Sequence, residues 1–121
     1  MKLGDFYTSD LHDEGAEVNI TNPSTGEVSD VFIRVKGPDS KDFREAILRM
    51  NRKGLDSDHD SMVELLVDIT IGWRGVVEDD SKGDKEVEFS KEVIKDVYER
   101  SPDVANQVMA FVGERQNFTK G

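Results

Sequence analysis

Residues 17–35 hold two short runs, Glu17-Val18-Asn19-Ile20-Thr21 and Val31-Phe32-Ile33-Arg34-Val35, on either side of Asn22-Pro23-Ser24-Thr25-Gly26. Both runs alternate in the two-residue period of a half-buried strand, and β-branched residues dominate them. The Pro/Gly segment between them has turn chemistry, so the stretch predicts a β-hairpin. Val31, Ile33 and Val35 fall on one face, with Phe32 and Arg34 on the other. A two-stranded hairpin is marginal in water, so its apolar face requires a cover.

The cover follows in the chain. Gly37-Pro38-Asp39-Ser40 stops the strand and offers N-cap oxygens to a helix in which Phe43, Ala46, Ile47 and Met50 recur at i, i+3, i+4 and i+7. This helix is expected to run to about Lys53, with Arg49, Arg52 and Lys53 at its negative dipole end and Gly54 as the C′ residue. A second helix is expected after the acidic stretch 56–60. Its stripe is Met62, Leu65, Leu66, Ile69 and Trp73, widened by Val63 and Val67, which makes it the central core element. Residues 76–88 read as an acidic loop. Ser90 then N-caps a third helix, with Phe89 and Ile94 in the positions of a hydrophobic staple and Val93, Ile94, Val97 and Tyr98 as its apolar face. Ser101-Pro102-Asp103 ends that helix and starts a fourth, striped by Val104, Val108, Phe111 and Val112.

Before residue 16 the sequence mixes Asp, Glu, Gly and His with no sustained period. The expectation is therefore α+β: an N-terminal β-hairpin packed on a small bundle of about four α-helices in a single domain, 1–121. Within it, 1–15 is loosely ordered, 16–36 forms the hairpin, and 39–116 is the helical part with its acidic loop at 76–88.

Composition narrows the function classes. Of 121 residues, 36% are hydrophobic and 35% charged, polar but sufficient for a core. The absence of cysteine removes disulfides, thiolate metal sites and cysteine nucleophiles, and suggests a cytosolic protein. No run approaches the roughly 18 apolar residues of a membrane span, and the first residues lack an apolar export segment. Sixteen basic against 26 acidic residues give a net charge of −10, which opposes nucleic-acid binding through phosphate neutralisation. The same charge would suit an acidic DNA mimic that inhibits a nucleic-acid enzyme.

Candidate chemistry is sparse. Asp56, Asp58 and Asp60 occupy positions 1, 3 and 5 of a calcium-type loop, but Ser61 stands where Gly is needed and Val67 where a bidentate Glu is needed. The same stretch with His59 is the only candidate for a metal-dependent hydrolase. His12 and His59 are the only histidines, both in polar segments read as exposed. No glycine-rich phosphate loop occurs. No catalytic, cofactor or metal residue is assigned. Trp73, beside Arg74, reads first as a core anchor over a glycine-bounded corner and second as a partner contact, whereas for Phe111, Arg115 and Phe118 the two readings are balanced, since Trp, Arg and aromatics are common interface anchors.

A set of motifs carries a resemblance: Trp73-Arg74-Gly75-Val76, Glu88-Phe89-Ser90, Tyr98, Ser101-Pro102, and Gln107-Val108-Met109-Ala110-Phe111-Val112-Gly113-Glu114-Arg115-Gln116-Asn117-Phe118. The pattern is similar to the tail assembly chaperones of long-tailed, siphovirus-type bacteriophages. In that family a Trp-x-Gly step, an acidic loop, a Phe-Ser helix start and a Tyr and Pro corner precede a closing Arg-x-Asn-Phe. The match covers about 45 of the 121 residues. It departs from many relatives at Asp103-Val104, where they carry an aromatic, and in the N-terminal hairpin, since some members are mainly helical.

The resemblance implies a non-catalytic chaperone that needs no cofactor, beside the expectation from charge and hydropathy that the chain binds no nucleic acid and no membrane. Such a protein binds the tape-measure protein in the host cytoplasm, keeps it soluble, helps recruit the tail-tube protein, self-associates, and is absent from the mature virion. Trp73, Phe111, Arg115, Asn117 and Phe118 are then the partner-binding candidates.

Overall fold

In a computed structural model, which describes residues 1–53, 59–78 and 85–119, the chain is mixed α+β. The helices are α1 (Ser9–Glu14), α2 (Lys41–Lys53), α3 (His59–Ile69), α4 (Lys91–Arg100), α5 (Pro102–Val112) and α6 (Gln116–Thr119), with a 3-10 turn at Leu3–Phe6. Strands β1 (Ala16–Thr21), β2 (Val28–Val35) and β3 (Thr70–Arg74) form one antiparallel sheet in the order β1-β2-β3.

The expected hairpin is present as β1 and β2, with Val18 opposite Ile33 and Glu17 opposite Arg34. Ile33 and Val35 are buried and Val31 is half-buried, as the alternation requires. Gly26 takes a positive φ of 78° in the connection, where Asn22 Oδ1 accepts from the Ser24 amide at 2.8 Å. The outer edge of β1 is closed at Thr21 by a side chain. The Gln107 amide donates to the Thr21 carbonyl at 2.9 Å and accepts from its N–H at 2.8 Å, which blunts a strand edge that would otherwise template pairing.

Two expectations are corrected. The second predicted helix does not continue through Trp73: α3 stops at Ile69, and Thr70–Arg74 becomes β3, which extends the hairpin to three strands. All four final carbonyls of α3, which lack helical partners, are taken by other groups. Thr70 Oγ1 donates to Leu66 O. The Lys91 ammonium reaches Val67 O at 2.6 Å and Asp68 O at 3.4 Å. The Lys36 amide donates to Ile69 O at 2.9 Å.

Residues 1–15 are the second correction, because they are organised rather than loose. They form the 3-10 turn and α1, which packs on α2 and α6.

The core lies between the inner sheet face and the helices. Val18, Ile20, Ile33 and Val35 meet Val63, Leu66 and Ile69 of α3, Ile94 and Tyr98 of α4, and Val104, Ala105, Val108 and Val112 of α5. Helix α3 contacts α2, α4 and α5, and α5 contacts β1. Ser90 and Ser101 act as N-caps, their hydroxyls accepting from the amides of Val93 at 3.1 Å and Val104 at 3.4 Å. On the outer face, Arg74 lies 3.9 Å over the Phe32 ring and pairs through two nitrogens with Glu17 across the sheet, at 2.9 and 3.2 Å. Among the described residues no helix is long and apolar enough to cross a membrane. Gly54, Asp56 and Asp58 lie outside the described residues, whereas Asp60, Ser61 and Val67 of the calcium-type pattern fall within α3.

Candidate partner-binding surface

Helix α2 is capped by Ser40, whose hydroxyl accepts from the Phe43 amide at 3.2 Å. Its predicted stripe is only partly covered. Ala46 is buried, but Phe43, Ile47 and Met50 are half-buried, and Leu48, off the stripe, is 54% exposed. Pro38, Phe43, Arg44, Ile47 and Leu48 line an open groove of about 470 Å³. Arg44 also lines an adjoining hollow of about 280 Å³ with Phe6, Tyr7 and Asp39. Phe6 and Tyr7 are 64% and 65% exposed, so a band of large apolar side chains runs from the N-terminal segment across Arg44 onto α2. Contiguous exposed apolar surface of this kind marks binding sites in folded proteins.

The five candidates drawn from sequence sit elsewhere. Trp73, on β3, packs edge-on against Phe89 at 5.8 Å between centroids and donates its Nε1 hydrogen to Val87 O at 2.8 Å. The other four do come together, around the N-terminal helix. Phe118 is buried, 5% exposed, stacked on His12 at 5.1 Å and edge-on to Phe111 at 5.6 Å. Arg115 Nε donates to Asp39 Oδ1 at 3.2 Å, and Asn117 donates to the Phe111 carbonyl at 2.8 Å. Phe118 and Asn117 are thus engaged inside the chain, while Arg115 remains largely exposed beside its partner.

His12, read from sequence as exposed, is fully buried at the centre of this cluster. Its Nδ1 accepts from the Asp39 amide at 2.9 Å, which assigns the proton to Nε2. Nε2 makes no hydrogen bond, with Asp39 Oδ2 3.5 Å away. Asp39 Oδ2 accepts instead from the Thr8 hydroxyl at 2.7 Å. That bond, with help from Arg115, holds the Asp39 carboxyl below its ordinary pKa. Burial lowers the pKa of His12, opposed by the charge of Asp39. A Cβ on Gly37 would collide with the imidazole and lie 2.8 Å from Phe118 Cγ, so only glycine admits this packing.

A second buried polar pair, Thr70 Oγ1 and Tyr98 OH at 2.9 Å, joins the α3–β3 junction to α4, and burial pushes the Tyr98 phenol up to about 12. Among the described residues no group of three or more His, Asp or Glu side chains is placed to hold a metal ion.

Phe6, Tyr7, Arg44 and Leu48 were not singled out from sequence. The available signals were a tandem aromatic pair in a polar segment and a leucine off its helix's apolar stripe. No family model, no curated protein and no solved structure matches the chain.

Proposed function

We propose that this chain is a non-catalytic tail assembly chaperone that binds the tape-measure protein, keeps it soluble and helps recruit tail-tube subunits. In this reading it acts in the host cytoplasm and is absent from the finished virion. The scaffold is the hairpin together with the four longer helices, α2 to α5. The observation that carries the reading is the apolar band of exposed Phe6, Tyr7 and Leu48 with half-buried Phe43 and Ile47, on a protein whose other large apolar side chains mostly fill a closed core. Such a surface suits reversible capture of apolar segments, and the −10 charge of the chain keeps a loaded complex dispersed. The motif pattern from Trp73 to Phe118 adds the identity of the cargo.

The DNA-mimic alternative draws less support. Glu17, Asp39, Asp42 and Asp68 are paired with Arg74, Arg115, Lys36 and Arg49, so part of the negative charge is already neutralised within the chain. Co-expression with the cognate tape-measure protein tests the proposal. Increased soluble tape measure and a co-purifying complex are expected, and an unchanged insoluble fraction without a complex would refute it.

A further inference from the structure

Five of the sixteen basic residues of the chain fall on α2, against only Asp42 and Glu45. A helix of net positive charge thus carries the apolar groove of a protein with a net charge of −10. Those cations are not equally committed. Arg49 is tied to Asp68 of α3. Arg44 donates only to the Ser40 carbonyl, at 3.3 Å, and neither Arg44 nor Arg52 has a carboxylate partner among the described residues. Helical spacing puts Arg44, Leu48 and Arg52 in one row about 12 Å long, beside Phe43 and Ile47. The groove therefore has an apolar floor with Arg44 in its lining, and Arg52 extends the same row two turns on, both without a carboxylate partner among the described residues.

The floor is a helix face, with no strand edge to pair a visiting backbone. An extended segment would enter with unpaired N–H and C=O groups, whereas a helix arrives with its own satisfied.

We propose that this surface binds an amphipathic helix of another protein, with apolar residues at i, i+4 and i+7 flanked by Asp or Glu about two turns apart that meet Arg44 and Arg52. This rests on the reading of the chain as a chaperone, and it states the chemistry of the segment captured. The remainder of the chain is net negative and disfavours such a helix, so charge biases its landing toward α2 and apolar burial holds it there.

Two synthetic helical peptides of 21 residues, with one leucine stripe and either Glu or Lys flanks, serve as probes in fluorescence anisotropy with the full chain. The Glu-flanked peptide is expected to bind at least about tenfold tighter at low salt, with the advantage shrinking as salt rises. Arg44→Glu combined with Arg52→Glu reverses the preference, Leu48→Asp abolishes binding of both peptides, and Val28→Asp, at an exposed hairpin position, leaves it intact. Circular dichroism confirms that each variant is folded. Equal or tighter binding of the Lys-flanked peptide, binding of neither, or a preference unmoved by the charge reversals would overturn the proposal. So would an oligomer that Leu48→Asp converts to monomer while neither peptide binds, since the occupant would then be a second copy. Co-expression separates the two readings. Tape measure solubilised equally by wild type and Leu48→Asp overturns this surface alone, whereas peptide binding as expected without any effect on tape-measure solubility overturns the chaperone assignment alone.

Discussion

His12 is a titratable group in the centre of a packed cluster, and its geometry gives the molecule a specific acid sensitivity. The folded protein holds the imidazole neutral, because Nδ1 must accept from the Asp39 amide and no water reaches the ring. Its pKa therefore lies below the ordinary 6.5. As the pH falls through 6.5 the unfolded chain takes up a proton that the folded chain refuses, so stability declines. This contribution is fully present above 6.5 and is lost as the pH falls toward the folded-state value. The depressed carboxyls of Glu17, Asp39 and Asp42 act in the same direction, but below about pH 4.5, their ordinary values being 4.5, 3.8 and 3.8. His12→Asn keeps an acceptor for the Asp39 amide and removes the titration. Its melting temperature is expected to be nearly flat between pH 7 and 5, where wild type falls. At pH 7 it is expected to be less stable by about 2 kcal/mol for the lost ring contacts. Equal pH slopes in the two proteins would refute the assignment. Sequence could not show this role: a lone histidine among Asp, Glu and Gly reads as solvated, and the residues that bury it, Gly37 and Phe118, lie far along the chain.

At the scale of elements, most of what was legible came from periodicity and capping. The first strand, the 31–35 part of the second, the Ser40, Ser90 and Ser101 caps and the apolar faces of α4 and α5 all stand where local rules put them, while residues 28–30 lengthen β2 beyond the expected run. The α3–β3 junction was illegible because Trp73 continues the helical spacing of Met62, Leu65, Leu66 and Ile69, so the period alone favours one long helix. The decision is tertiary. Lys36 and Lys91 supply the donors that end the helix, and β2 supplies the edge on which Thr70–Arg74 pairs. Lys91 also accepts a lowered pKa through burial to hold the Val67 and Thr70 carbonyls, the latter at 2.7 Å. Lys91→Met retains the aliphatic stem and removes the donors. It is expected to cost about 1–3 kcal/mol in urea unfolding, with faster amide exchange in β3 than in α5. A loss spread evenly over both elements would show that Lys91 does not act at the junction.

Across the whole molecule, the two ends of the described chain hold each other. Helix α1 contacts α6, Thr8 and Arg115 share the Asp39 carboxylate, and His12 stacks on Phe118. The motif that carries the resemblance, ending at Phe118, is thus completed by residues that a reading of the C-terminal half alone leaves out. Leu48→Asp changes an exposed side chain and is expected to move the melting temperature little while removing partner capture. Deletion of residues 1–14 takes Phe6 and Tyr7 from the apolar band and also strikes the core, because Phe118 loses the His12 face and Asp39 loses the Thr8 hydroxyl. Exposing Phe118 alone costs about 2 kcal/mol, to which the lost hydrogen bonds add. The truncated chain is expected to melt at clearly lower temperature and to be cut by trypsin at Arg115 well before Lys91, Lys95 or Arg100 in α4, since α6 has lost the helix it packs on. Retention of wild-type melting and of wild-type protection at Arg115 would mean that α6 is held by Phe111 and the Asn117 bond to its carbonyl, and that the N-terminal helix is dispensable to the fold.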